Sequence, residues 1–292
     1  MEKFRLRRSA RKDSIRIEDL VLDYYLKLVP VVDGFNKEAE TVCKKIVDQE
    51  GSIIAGCVGY IYPWGCLYID DLWVDERYRR QELGSNLLQI MEEIGINRGC
   101  YLCYLGTGDF QARPFYLKHG YTIFGTTKNN PVGHEDYVLF KRFDKVQTKR
   151  AVKPISFEIL DGDEDEGELI EDKLYEYNLP FLQPKHDYIK INRKLVDQNG
   201  KVVAAIMAGV MGTDAGIIWK IWVDEEYRNQ GLGTRLLMHF EKKAREKGAH
   251  KIIAEEIYDW NVDFFLKNGY KIAGTLPDLP KNHKYYVLDK DL

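Results

Sequence analysis

The second half of the chain has no cysteine, and the five in the first half, Cys43, Cys57, Cys66, Cys100 and Cys103, are odd in number. A disulfide framework is therefore not expected, and a reducing compartment, the cytoplasm, is. Cys100 and Cys103 have zinc-like spacing but lack a second Cys/His pair nearby. They fall in a strand-like stretch, where residues three apart face opposite ways, so they read as buried thiols and no metal is expected. An excess of positive charge is missing too: 43 basic against 46 acidic residues leave a net charge of −3, which removes a chain-wide basic field for nucleic acid. No apolar run follows Arg5, Arg7, Arg8 and Arg11, so these arginines do not begin a targeting signal. Residues 52–69 carry no charge and are long enough to suggest a membrane helix, but Pro63 and the glycines among them oppose one. Tyr62-Pro63-Trp64-Gly65 instead reads as the turn between two buried strands, and neither a membrane nor a nucleic-acid partner is expected.

What is present is a repeat. Val47-Asp48-Gln49, Trp73-Val74-Asp75-Glu76, Gly120-Tyr121 and Tyr137-Val138-Leu139 each recur 149 residues later, as Val196-Asp197-Gln198, Trp222-Val223-Asp224-Glu225, Gly269-Tyr270 and Tyr286-Val287-Leu288. A constant offset means no net insertion, so the halves share one fold. A chain of 292 residues is comfortable for two domains. The divisions expected are 1–145, a charged linker 146–153, and 154–292. In the second half, periodicity places strands over 155–160, 188–196, 202–209, 216–223, 251–257, 270–275 and 285–288, with helices over 168–177, 233–247 and 260–268. The acidic run 161–168 leads into the first of these helices, where it complements the helix dipole.

The stretch with most chemical content is Tyr227-Arg228-Asn229-Gln230-Gly231-Leu232-Gly233-Thr234. It joins a strand rich in β-branched and aromatic residues to a helix whose apolar positions Leu232, Leu236, Leu237, Phe240 and Ala244 keep helical spacing. Glycines at such a turn let backbone approach a ligand, and the free N–H groups of the helix start favour an anion such as a pyrophosphate. There is no lysine after the second glycine for a Walker loop, and the spacing is not that of a Rossmann turn.

Arg228-x-x-Gly231-x-Gly233 after a strand end resembles the acetyl-CoA signature of the GCN5-related N-acetyltransferase (GNAT) superfamily. The resemblance spans nearly the whole chain. It implies an α/β class with two tandem domains, each a mixed, mostly antiparallel twisted sheet flanked by helices. It also implies acetyl-CoA as cosubstrate, lying between two strands that splay apart. The contacts implied are Ile221 and Val223 through their main chain, then Arg228, Asn229, Gln230, Gly231, Leu232, Gly233 and Thr234, with Asn261 and Phe265 further on.

The halves differ where chemistry is expected. The first has Glu82 in place of the first glycine, adding a Cβ and a negative charge beside the phosphates, so it is expected to bind acetyl-CoA poorly. Yet it keeps Asp70, where many family members carry an acidic group, and Tyr116, where the family commonly has its general acid. The second half has the intact cradle, but Trp219 stands opposite Asp70 and Phe265 opposite Tyr116. Proton handling there falls to Glu255 or Tyr258, with Glu256, His283 and Tyr285 also near. Strand alternation would turn only one of Glu255 and Glu256 into the cleft. If the first domain were the active one, Tyr116 and Asp70 would take these roles. The expected activity is transfer of acetyl to a primary amine of a small molecule or peptide, with the donor in the second domain. The chain is expected to be a monomer forming an intrachain pseudo-dimer, or a homodimer. A non-catalytic acyl-CoA-binding regulatory module is the alternative, and aminoacyl transfer from tRNA is disfavoured by the intact signature and the charge.

Overall fold

A computed structural model describes residues 4–29, 31–144 and 152–292. The elements in order are β1 (Arg5–Arg8), α1 (Arg11–Leu28), β2 (Glu40–Val47), β3 (Ile53–Tyr62), β4 (Cys66–Val74), α2 (Leu83–Arg98), β5 (Leu102–Gly108), α3 (Arg113–Lys118), β6 (Thr122–Lys128) and β7 (Glu135–Arg142). There follow β8 (Ile159–Asp161), α4 (Glu164–Leu182), β9 (Ile189–Lys190), β10 (Arg193–Val196), β11 (Val202–Val210), β12 (Ala215–Val223), α5 (Leu232–Glu246), β13 (Lys251–Tyr258), α6 (Val262–Lys267), β14 (Lys271–Pro277) and β15 (Lys284–Asp291). The charge-free stretch 52–69 is indeed two strands, joined through Gly65 at φ +77°. Among the described residues no helix is long and apolar enough to cross a membrane.

Two compact units result, and they are not the linear halves. The described part of the first unit is residues 31–128, 134–144 and 152–181; that of the second is 4–29, 129–133 and 182–292. A division within the linker, expected from the sequence, misses this exchange, because composition marks a linker but not the sheet that a strand joins. In the first unit the strands run β8-β2-β3-β4-β5-β7-β6, and only β4 and β5 are parallel. In the second they run β1-β10-β11-β12-β13-β15-β14, with only β12 and β13 parallel, and β9 adds to β11.

Each exchanged segment is held by buried apolar side chains and by polar clasps. In the second unit Ile17 and Val21 of α1 are buried against Ala205, Met207 and Trp222. Lys194 Nζ lies 2.7 Å from Asp13 Oδ1, Asn192 Nδ2 donates to Ser14 Oγ at 3.2 Å, and Arg235 Nη1 donates to the Phe4 carbonyl at 3.2 Å. In the first unit Ile170 of α4 packs with Cys43, Val58 and Trp73, while Asp161 and Glu166 pair with Lys44 and Lys45. The acidic run does more than complement a dipole. Glu166 N donates to Asp163 Oδ1 and Asp163 N to Glu166 Oε2, both at 3.0 Å, a reciprocal cap that starts α4.

The strand expected over 188–196 is broken at Asn192, whose amide oxygen accepts from Ala208 N at 3.1 Å and so replaces a ladder bond. The large core of the second unit lies between α5 and the sheet, around Leu236, Leu237, Phe240, Ile206 and Ile252. That of the first is its counterpart around Leu87, Leu88, Met91 and Ile54. Cys100 and Cys103 are buried free thiols, and burial pushes Cys100 up to about 12.

Candidate functional site

The opening in each sheet follows from where its one parallel ladder ends. In the second unit β12 and β13 pair only over Ala215–Ile218 and Lys251–Ala254, then part. Both strands bulge at that point. Ala208 faces Ile218 and Met207 faces Lys220, so Trp219 is an extra residue on β12. Ala254 faces Leu288 while Ile257 faces Tyr286, so β13 also carries one extra residue at Glu255-Glu256, and Glu256 sits at φ +55°. Extra residues bend a strand and end its pairing, which opens the gap. In the first unit β4 and β5 pair over Cys66–Ile69 and Leu102–Leu105 and β4 bulges at Asp70, but β5 runs in register with β7.

The bulge in β13 overturns one sequence expectation and refines another. Alternation fails across Glu255-Glu256, so it does not turn one side chain in and the other out; both are half-buried. The repeat offset also hides a compensated insertion. His134 Nδ1 meets Asp109 at 2.8 Å and His283 Nδ1 meets Asp259 at 3.1 Å, one residue closer in sequence. Contact of the ring Nδ1 with an aspartate is thus common to the two histidines.

Below the gap lies the turn into α5. Arg228 Nε donates to the Val223 carbonyl at 3.2 Å, and its guanidinium lies 4.4 Å from the ring centre of Tyr24. Asn229 at φ +60° and Gly231 at φ +74° then reverse the chain. The first intrahelical bond of α5 runs from Arg235 N to the Gly231 carbonyl at 2.9 Å, which leaves the amides of Leu232, Gly233 and Thr234 with no intrahelical acceptor. A Cβ on Gly231 would meet nothing within 4 Å, so the cradle faces open space and fits an anion such as a pyrophosphate. Gly233 serves differently from the expectation. Its Cβ would come within 3.1 Å of the Phe264 ring and 3.5 Å of Val223, so its smallness seats α5 against α6 and β12.

The first unit repeats this backbone closely. Arg79 Nε donates to the Val74 carbonyl at 3.2 Å, Arg80 has φ +64°, and Glu82 has φ +62° and ψ +11°. Glutamate has not distorted the turn. The difference from Gly231 (φ +74°, ψ +6°) is confined to the side chain and its charge.

The other expected residues are placed as follows. Ile221 and Val223 are half-buried on the α5 face of β12, and Leu232 is buried in the same core. Thr234 is half-buried in the first turn of α5. Gln230 Nε2 lies 3.4 Å from the Glu226 carbonyl. Asn261 Oδ1 accepts from Tyr258 N at 2.7 Å, tying the end of β13 to the start of α6. Phe265 is not in reach of a ligand: it is fully buried against Phe264 and Tyr270, because its helix turns that face into the core. Tyr258 is 3 % exposed, stacked on Trp260 at 4.5 Å with Tyr25 and Tyr285 at its edges. In the first unit Tyr116 is likewise buried, against Phe115 and Tyr121, and Asp70 is exposed at the β4 bulge. Sequence reasoning missed the ion pair of Lys220 with Glu256, which spans the two strands where they part. No spacing signals it, since it joins residues of separate strands past a bulge.

Asp71, beside Asp70, is pushed up to about 7, first by partial burial, then by the carboxylates of Asp70 and Glu171. Unfolded, such a carboxyl titrates near ~4, so between the two values the folded chain holds the extra proton. The stability it contributes is whole below about pH 4 and is lost as pH rises through about 7. Asp71→Asn is expected to melt above the parent at pH 8, the gap closing toward pH 4. Thermal unfolding at both pH values checks this, and a gap that does not change with pH would refute it.

The sequence model of the Acetyltransferase (GNAT) family matches residues 14–121 and again 157–270. The chain belongs to the GNAT family. It is a tandem member, and the family shows it to be an N-acetyltransferase, moving an acyl group from acyl-CoA to an amine, with acetyl-CoA the family's cosubstrate. The GNAT matches straddle the exchanged segments, since each takes in the helix that packs in the other unit. A blasticidin-S acetyltransferase of Streptomyces morookaense is 31 % identical over 117 residues, 40 % of this chain and 84 % of that protein. An acetyltransferase of Agrobacterium fabrum is 33 % identical over 98 residues, 34 % of this chain and 71 % of that protein. A solved acetyltransferase from Bacillus cereus is 34 % identical with a TM-score of 0.43, over 47 % of this chain and 96 % of its own.

Proposed function

We propose that this GNAT enzyme binds one acetyl-CoA per chain, in the second unit, and transfers its acetyl group directly to the primary amine of a small molecule or peptide. The observation that carries the reading is the pair Gly231 and Glu82 on the same backbone: a Cβ on Gly231 would meet open space, whereas Glu82 adds a side chain and a negative charge at the matching position. The pyrophosphate would be held by the free amides of α5, with Arg228 fixed alongside. A small-molecule acceptor agrees with the relative named a blasticidin-S acetyltransferase.

Titration calorimetry with acetyl-CoA is expected to give one site. Two sites, each abolished by a change in its own turn, would overturn the assignment. Tyr116→Phe is expected to leave kcat within about twofold at saturating acetyl-CoA, since Tyr116 is a core side chain of the other unit. A collapse of kcat in this variant, with its circular dichroism unchanged, would move the reaction to the first unit.

A further inference from the structure

The outer edge of the second unit sets like charges opposite one another where the first unit pairs unlike ones. β1 lies on β10 with Leu6 opposite Leu195, Arg7 opposite Lys194 and Arg8 opposite Arg193. The matching edge of the first unit keeps the same register, with Ile159 opposite Ile46, Leu160 opposite Lys45 and Asp161 opposite Lys44. Arg193 stands 149 residues after Lys44, the offset of the repeat. Lys44 and Asp161 form an ion pair, so this place in the sheet accepts opposite charges. In the second unit it holds two guanidiniums, and like charges directly opposite on neighbouring strands are destabilising. Asp13 relieves Lys194. Among the described residues no acid relieves Arg8 or Arg193, and Arg193 Nη1 donates to the Asn192 carbonyl at 2.9 Å. Burial and the charge of Arg8 hold Arg193 below the ordinary arginine value.

The helix beside this edge is basic along the same line. Leu6 and Leu195 pack into the core under α5, so Arg8 and Arg193, two residues away on their strands, face α5 as well. β1 and α5 both run antiparallel to β12, and therefore side by side from the point where Arg235 Nη1 holds the Phe4 carbonyl at 3.2 Å. From there Lys243 is eight helical residues on, about 12 Å, and Arg8 four strand residues on, about 13 Å, so the two come level. His239 stands one turn before Lys243. In α2 the equivalents of Arg235, His239 and Lys243 are Asn86, Ile90 and Ile94, none of them charged. His239 Nε2 is buried with no hydrogen-bond partner among the described residues. Burial first, then Arg193 and Lys243, hold its ring below the usual histidine value. Of the acids on this part of α5, Glu246 pairs with Lys243 and Glu241 with Lys290.

We propose that the seam between α5 and the β1–β10 edge is an oxyanion site, which takes a phosphate group between the Arg8 and Arg193 guanidiniums with His239 Nε2 alongside. Two planar forks and an imidazole suit the three oxygens and double charge of a phosphate better than the single charge of a carboxylate. The site lies about two turns along α5 from the cradle at Gly231 and does not depend on which unit binds acetyl-CoA. It joins β1, from the opening segment of the chain, to β10 and α5, so its occupation holds that segment on the second unit.

The test uses the full chain and inorganic phosphate at about 10 mM, too dilute for its general salting effect, against chloride at equal ionic strength. Phosphate is expected to raise the melting temperature of the parent. The shift is expected to survive in Gly231→Glu, which closes the cradle to anions, and to disappear in Arg193→Gln. His239→Leu is expected to weaken phosphate binding by about tenfold, read by calorimetry. Arg8→Asp, which copies Asp161, is expected to melt above the parent in chloride and to show no shift with phosphate. Where Arg8→Asp does not fold, Arg8→Gln replaces it and is expected to lose the phosphate shift. Acetyl-CoA titrated with and without phosphate separates two sources of the group. Equal affinities support a phosphate that is free or carried on another ligand; a loss of affinity that Arg193→Gln removes supports one carried by acetyl-CoA itself. A parent that does not respond to phosphate, a response kept in Arg193→Gln, or one lost in Gly231→Glu overturns the site. Self-association that vanishes in Arg193→Gln and persists in phosphate gives the seam to an acidic edge of a second copy, which also overturns it.

Discussion

Gly231→Glu is expected to weaken acetyl-CoA binding by at least about 100-fold while the fold survives. The backbone already tolerates a glutamate in this conformation, as Glu82 at φ +62° shows in the other unit. The folding penalty of a non-glycine residue there is therefore about 1–2 kcal/mol, within the stability of an ordinary domain. Binding suffers more. A carboxylate near ~4 Å from a phosphate charge meets about 4 kcal/mol of repulsion at an effective dielectric of about 20, which exceeds the ~2.7 kcal/mol that a 100-fold loss requires. Calorimetry measures the loss, and circular dichroism with a thermal melt confirms the fold. Retained affinity in a folded variant would show that the phosphates do not lie against Gly231. In that case the contrast with Glu82 says nothing about which unit binds the donor.

Removing residues 1–28 is expected to abolish acetyl-CoA binding by the second unit and its cooperative unfolding, although the signature lies far downstream. The segment buries Phe4, Ile17 and Val21 at 7 %, 1 % and 5 % exposure. At about 1.5–3 kcal/mol each, these three side chains alone are worth roughly 5–9 kcal/mol, comparable to the whole stability of a domain. The deletion also exposes the edge of β10, which pairs with β1 from Arg193 to Val196. A synthetic peptide of residues 1–29 added in trans is expected to restore binding in a concentration-dependent way. Differential scanning calorimetry and acetyl-CoA titration read both effects. A truncated chain that melts as the parent does and binds acetyl-CoA unaided would show the exchanged segment to be dispensable.

Most of the fold was legible because its signals are local. The 149-residue repeat, the strand-to-helix turn at Gly231 and the helical spacing of Leu232, Leu236, Phe240 and Ala244 are each read over a few residues of one element. The acidic start of α4 and the buried thiols were legible for the same reason. The errors share another cause. Gly233 resembles a ligand-approach glycine in sequence, but what decides its use is the Phe264 ring from a different helix. Phe265 is among the contacts the resemblance implies, yet it and Tyr116 are both core side chains, since a position in a motif does not state which way a helix turns.

By itself the sequence determined the fold class, the duplication, the family and the cradle that differs between the halves, because backbone propensity, periodicity and glycine conformation act within a short window of chain. Only the tertiary structure decided which sheet each opening segment joins, since a strand edge accepts any segment of matching length and polarity. It alone decided where alternation breaks, at the bulges of Trp219 and Glu255-Glu256. And it alone set Lys220 against Glu256 and Tyr25 against Tyr258, because side chains from separate elements meet only when the packing of the strands and of α1 on the sheet fixes their distances.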